Sequence, residues 1–266
     1  MNCKTSDHLN IYFEVLGNSN AKQTIVFLNG LSQSTISWAL TTPYFTANYK
    51  IILIDFIFQG QSDKTGDWRS FDQHAKDVLT VLNFLKEEQV IVCGLSYGSL
   101  VAQHMAVNFP KQISKLILVS TFARKTPYYE AIELSWWRAL DFGGYSLMLD
   151  IMLPSVLSEN YFTNPLIPID LLKQTRQGLN DDKQALFKLM RATKEREDYR
   201  KKLALIDVPA IVIQGDKDLL FPVHMAKEVS DSIPHCQLSV IPNAGHTLNL
   251  EAVPQLSSLI LEFLKS

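Results

Sequence analysis

Cysteine is scarce in this chain: Cys3, Cys93 and Cys236 are the only three, widely spaced and odd in number. A disulfide framework is therefore not expected, and with no CxxC or Cys/His cluster neither is a zinc site. No metal and no cofactor are implied. Charge of one sign is missing too. Lys and Arg number 25 against 27 Asp and Glu, a formal net charge of −2, which leaves no basic surplus or stripe for nucleic acid. No uninterrupted apolar run reaches the roughly 18 residues of a membrane span. The most apolar stretch, Leu140 to Leu157, is interrupted by Asp141, Gly143, Gly144, Asp150 and Pro154, so no integral membrane association is expected. The start, MNCKTSDHLN, lacks the apolar segment of a secretory signal, and a cytoplasmic location is the expectation. Internal repeats and low-complexity tracts are absent as well. What remains is 266 residues, 47% of them hydrophobic, ample for a packed core.

Short β-branched runs alternate with longer amphipathic stretches. Strands are predicted at Thr24–Leu28, Ile51–Asp55, Val90–Cys93, Leu116–Ser120, Ala210–Gln214 and Leu238–Ile241. Each is continuously apolar, as strands covered on both faces should be. His8–Leu16 reads as a further, antiparallel strand. Helices are predicted at Ile36–Tyr49, Phe71–Glu88, Tyr97–Phe109, Pro222–Ser232 and Ala252–Lys265; in the second, Ala75, Val78, Leu79, Leu82 and Leu85 keep helical spacing. The alternation implies an α/β protein with a mostly parallel central sheet and helices on both faces. It stops after Ser120. Residues 122–202 hold aromatic and Met-rich sequence, a turn-rich piece with Pro154, Pro165 and Pro168, and a charged helical segment from Asp181 to Lys202. The expected division is a core of 1–121 and 203–266 with 122–202 inserted as a helical cap. Such a cap would lie over the carboxyl edge of the sheet, where open α/β sheets bind ligands.

Gly94-Leu95-Ser96-Tyr97-Gly98 follows a predicted strand and precedes a predicted helix. This is G-x-S-x-G in the context of a nucleophile elbow, a sharp turn that exposes a serine hydroxyl; an ordinary serine in a Gly-rich turn is the bland alternative. A hydroxyl needs a base to take its proton. Of six histidines, His246 in Asn243-Ala244-Gly245-His246 lies just past a late strand, where it could lean over the sheet edge. His8, His74, His104, His224 and His235 read as surface or core residues. The base needs an acid, and Gly215-Asp216-Lys217-Asp218 offers two. Asp218 sits further into its loop, with Asp216 as runner-up, and Val119 to Pro127 contains no carboxylate. The order Ser96, Asp218, His246 differs from the chymotrypsin and subtilisin orders. Two backbone N–H groups are needed for the charge that develops on an attacked carbonyl. Tyr97 and Leu31 are the expected donors, with Asn29 and Gly30 bringing their loop to the substrate; alone, Asn29-Gly30 would read as a tight turn.

With these residues in place the chain resembles the α/β-hydrolase superfamily over about 24–121 and 208–265, on GLSYG, GDKD and NAGH in that order. The resemblance implies an α/β-hydrolase fold with a cap, and a serine hydrolase acting on a carboxylic ester or thioester of a small or medium apolar acyl group. Serine at 96 argues against dehalogenase and epoxide-hydrolase relatives, which use Asp there. Two departures stand out: Asn29-Gly30 replaces the usual His-Gly, and Asp55 leads into Ile57-Phe58-Gln59-Gly60-Gln61-Ser62 in place of D-x-R-G-x-G-x-S. That combination is similar to bacterial acyltransferases that take 3-hydroxyacyl chains from acyl carrier protein, which would make a carrier protein a partner. Their elbow usually carries Trp and a further Gly where this chain has Tyr97 and Ser99. A ligand receptor on the same scaffold is the other alternative. Asp55 reads as a structural anchor. Trp136, Trp137, Phe142, Tyr145 and Met148 are the expected lining of an acyl pocket, plain cap core being the competing reading.

Overall fold

A computed structural model describes residues 1–265. Eight strands form one sheet: β1 (Asn2–Lys4), β2 (Asn10–Gly17), β3 (Thr24–Leu28), β4 (Lys50–Ile54), β5 (Val90–Leu95), β6 (Ile113–Val119), β7 (Ala210–Gly215) and β8 (Gln237–Ile241), in the order β1-β2-β4-β3-β5-β6-β7-β8. The pairs β1·β2 and β2·β4 are antiparallel; the rest are parallel. The interior strands β3, β5 and β7 are buried at every position. Their two faces feed separate apolar layers: Val90 and Val92 belong to one, Ile91, Cys93 and Leu95 to the other. This is the reason for the unbroken runs. The edge strand β8 differs, for Gln237 and Val240 are exposed.

Helices α1 (Phe71–Phe84), α2 (Tyr97–Asn108), α3 (Pro127–Val156), α4 (Glu159–Thr163), α5 (Ile169–Asn180), α6 (Lys183–Lys194), α7 (Arg200–Leu203), α8 (Val223–Ser232), α9 (Leu248–Glu251) and α10 (Val253–Lys265) complete the chain. In α1, Ser70 accepts from the Gln73 N–H while the Gln73 side chain accepts from the Ser70 N–H, a reciprocal cap that sets the start. No described helix is long and apolar enough to cross a membrane.

The helix expected over Ile36–Tyr49 is two short 3₁₀ turns, Thr35–Trp38 and Thr42–Tyr44. Thr41-Thr42-Pro43 explains it: β-branched residues and a proline without N–H break the apolar spacing. The strand expected over His8–Leu16 is β2 and begins at Asn10, because His8 adopts a left-handed φ of 68° in the turn from β1. Between β6 and β7 every regular element is helical among the described residues. The proline-rich piece is more ordered than a turn region: Pro154 lies inside α3, and Pro168 caps the start of α5. The charged segment splits into α6 and α7.

Candidate active site

The first piece is the turn between β5 and α2. Ser96 stands there at φ 53°, ψ −115°, outside the usual regions for an L-residue, a strain of roughly 1–3 kcal/mol held by its surroundings. The Ser96 N–H donates to Val119 O at 2.9 Å. A Cβ on Gly94 would come within 2.3 Å of Gly98 O, and one on Gly98 within 2.2 Å of Leu28 O. Strand, helix and β3 therefore meet at a distance only glycine permits.

The second piece follows β8. His246 is buried, and its Nε2 lies 2.8 Å from Ser96 Oγ while its Nδ1 lies 2.7 Å from Asp218 Oδ2. The network assigns the tautomer: Nδ1–H donates to the carboxylate and Nε2 accepts from the hydroxyl. Asp218 is itself fully bonded. Its Oδ1 accepts from the Leu220 and Phe221 N–H groups, and its Oδ2 also accepts from Gln214 Nε2 at 2.6 Å. Asp216 points to solvent beside Lys217 and touches neither.

The loop after β3 supplies the third piece. Leu31 and Tyr97 both line the cavity at Ser96. The Leu31 N–H has no protein acceptor among the described residues, and the Tyr97 N–H is a first-turn donor that a helix leaves unpaired. Gly30 is held from both sides, its N–H by Gln33 Oε1 at 3.0 Å and its carbonyl by Gln59 Nε2 at 2.9 Å. Asn29 is placed differently from expectation. Its Nδ2 donates to Ile54 O and Asp55 Oδ1, and its Oδ1 accepts from Trp38 Nε1, so it braces the loop from behind and does not face a substrate. Asp55 anchors the same region, accepting from the Thr35 and Gln61 N–H groups.

The cavity is narrow: about 40 Å³ of it admits the centre of a water-sized sphere, within about 530 Å³ of empty space that includes the open solvent at its mouth. Of the five aromatic and Met residues expected to line it, only Trp136 does. Phe142 is 85% exposed; Trp137 packs on Phe187; Met148 is core; Tyr145 is buried with its hydroxyl on Ser32 O. Residue type suggested them, whereas the face of α3 decides: Tyr129, Glu133, Trp136 and Leu140 recur at helical spacing and are buried. Tyr129, Met152, Val156, Arg176 and Thr193 line the cavity without having been singled out from sequence.

Residues missed from sequence also hold the histidine loop. Ser120, at φ 51°, donates its hydroxyl to His246 O at 2.7 Å. The Glu251 carboxylate accepts from the Gly245, Thr247 and Ser158 N–H groups. No signal short of the fold would have found them. His104 pairs with Asp72 and stacks on Tyr199, away from the site. No described group of His, Cys, Asp and Glu is placed to hold a metal ion.

A family model for the α/β hydrolase fold matches residues 23–253. The chain belongs to the α/β hydrolase fold family. The AB hydrolase superfamily protein YisY of Bacillus subtilis is 28% identical over 99% of this chain and 98% of its own. The 2-hydroxymuconate semialdehyde hydrolase of Pseudomonas sp. strain CF600 is 24% identical over 94% and 89%. Among solved structures, the α/β hydrolase MGS-M2 from a Medee basin deep-sea metagenome library superposes with a TM-score of 0.90 at 25% identity, covering 100% of this chain and 98% of that one.

Proposed function

We propose that this chain is a serine hydrolase that cleaves a carboxylic ester or thioester through an acyl-enzyme, with Ser96, His246 and Asp218 as its triad. One observation carries the reading: the unbroken chain from Ser96 Oγ to His246 Nε2 at 2.8 Å and from His246 Nδ1 to Asp218 Oδ2 at 2.7 Å. In the first half-reaction Ser96 Oγ attacks the acyl carbon and its proton passes to His246 Nε2. Asp218 stabilises the imidazolium. Its three further hydrogen bonds keep it an acceptor aimed at Nδ1. The N–H groups of Leu31 and Tyr97 take up the charge on the carbonyl oxygen. His246 returns the proton to the leaving alcohol or thiol as the carbon–oxygen or carbon–sulfur bond breaks. In the second half-reaction it removes a proton from water, which attacks the acyl carbon, and it hands that proton to Ser96 Oγ as the acyl–Oγ bond breaks.

Residues 122–202 act as a cap in this reading, since Trp136, Met152, Arg176 and Thr193 wall the cavity opposite Ser96. The test is hydrolysis of 4-nitrophenyl esters with fluorophosphonate labelling of the same preparation. Ser96→Ala should lose labelling and on the order of 10⁶ in kcat. Turnover near wild type in Ser96→Ala would overturn the assignment. Stoichiometric labelling without repeated turnover would favour a receptor built on the same scaffold.

A further inference from the structure

The described chain buries three arginines, Arg69, Arg176 and Arg196, and two of them have hydrogen-bond partners in the protein. Arg69 pairs with Asp7 and Asp77. Arg196 donates to Ala123 O at 2.8 Å and Gln103 Oε1 at 2.6 Å and lies over the rings of Phe122 and Tyr199. Arg176 is as buried as Arg196, at 8% exposure, yet its guanidinium has no salt bridge and no hydrogen bond to the described protein. Leu172, Arg176 and Asn180 form the buried face of α5, so the residue sits where spacing calls for an apolar side chain. Asn180 fixes that end of the helix, donating to Ser32 O and accepting from the Gly60 N–H. The groups that act on the Arg176 charge are the phenols of Tyr145 and Tyr161, and burial holds its pKa below the usual value. No carboxylate compensates it. Its nitrogens are not sealed from solvent, so the charge opens on the cavities with its hydrogen-bonding capacity free for an anion there.

Position supplies the use. Arg176, Gln33 and Thr247 line the Ser96 cavity and also a neighbouring, largely apolar cavity of about 1000 Å³ counted to its mouth, walled by Ile36, Leu40, Leu171 and Leu250. No Asp or Glu lines either one. Setting aside His246, Arg176 is the one charged side chain facing both. Guanidinium presents a planar fork that matches a carboxylate bidentately.

We propose that Arg176 binds a carboxylate of the substrate, so that the preferred substrates of the Ser96 site are esters or thioesters carrying a second, free carboxylate. The proposal rests on the ester-hydrolase reading only for its chemistry at Ser96; the anion subsite itself is independent of turnover.

Two measurements separate the two. The first compares kcat/KM for mono-4-nitrophenyl esters of the dicarboxylic acids from glutaric to suberic with the matched methyl 4-nitrophenyl diesters. At one or more chain lengths the wild type should favour the acid by roughly 30-fold or more, as expected for a buried charge pair against one lacking a partner. Arg176→Gln should bring that ratio to about one, and Arg176→Lys should restore part of it. A wild-type ratio near one, or an unchanged ratio in Arg176→Gln, overturns the proposal while leaving ester hydrolysis standing. The second follows binding of adipate and suberate to Ser96→Ala by calorimetry, with and without Arg176→Gln. Arg176-dependent binding in a protein that hydrolyses no ester would keep the subsite and sink the hydrolase reading; no binding and no acid preference would sink the subsite. Thermal melting gives the structural control. Arg176→Gln and Arg176→Met should melt at or above wild type, because no protein partner is lost, and wild type should melt higher as adipate is added. Failure of both variants to fold would make Arg176 a structural residue and overturn the proposal.

Discussion

Asp216 and Asp218 show how little separates an inert carboxylate from a positioned one. They lie in one loop two residues apart, yet Asp218 collects two backbone N–H groups and the Gln214 amide before it meets His246, while Asp216 faces water. Distance from the end of β7 was enough to favour Asp218 from sequence. Asn29 was not legible in the same way. Asn-Gly after a strand fits a loop that approaches a ligand, but the amide's direction depends on Trp38 and Asp55, which reach it from elsewhere. Glu133 is a different case, a carboxyl 8% exposed beside the Tyr129 hydroxyl, under the cavity wall. Burial raises its pKa to about 7 from an ordinary value of 4.5, outweighing the pull of Lys125. The folded state thus holds a proton that the unfolded chain releases between those values. Glu133 therefore contributes stability that is full below about pH 4.5 and fades as pH rises through about 7. Glu133→Gln should remove this contribution to the pH slope. Urea midpoints of both proteins from pH 4.5 to 7.5 should diverge in favour of the variant as pH rises. Parallel curves would mean the carboxyl ionises freely in the fold.

At the scale of elements, the interior strands and the elbow were the readable parts. A strand buried on both faces must be apolar throughout, and a turn that brings β5, α2 and β3 together must carry glycine at two fixed places. The segment 122–202 has no comparable rule. It is apolar around much of α3, so its sequence announces helix without saying which face meets the core. Gly144 divides α3, at φ 68° and ψ −166°, a combination essentially confined to glycine. The two halves carry Trp136 and Met152, both at the cavity, so the kink sets how they converge. No heavy atom lies within 4 Å of the position a Cβ would take there, hence alanine meets no clash and its effect is purely one of backbone. Gly144→Ala should cost about 1–3 kcal/mol, read as a lower urea midpoint with an unchanged slope. A midpoint at or above wild type would show that α3 straightens at no cost.

Across the whole molecule, the site is assembled from positions remote along the chain: Ser96 and His246 are separated by 150 residues and Asp218 and His246 by 28. Parallel crossovers reconcile these distances, for they bring the ends of β5, β7 and β8 to one edge. That assembly was foreseeable, because order and strand context fix it. The second wall of the cavity was not, since it depends on how α3, α5 and α6 settle over that edge, and only Trp136 was anticipated there. In the proposed enzyme this wall measures the acyl group, while the sheet edge does the chemistry. Shortening it should alter which chain is accepted more than whether the carbonyl is attacked. Trp136→Leu keeps an apolar side chain and opens space opposite Ser96. Its kcat/KM for octanoyl over butyryl 4-nitrophenyl ester should rise roughly ten-fold relative to wild type, the scale on which apolar pockets discriminate methylenes. An acetyl-to-decanoyl series that superposes on the wild-type profile after scaling would place the acyl chain elsewhere, in the neighbouring cavity beyond Arg176.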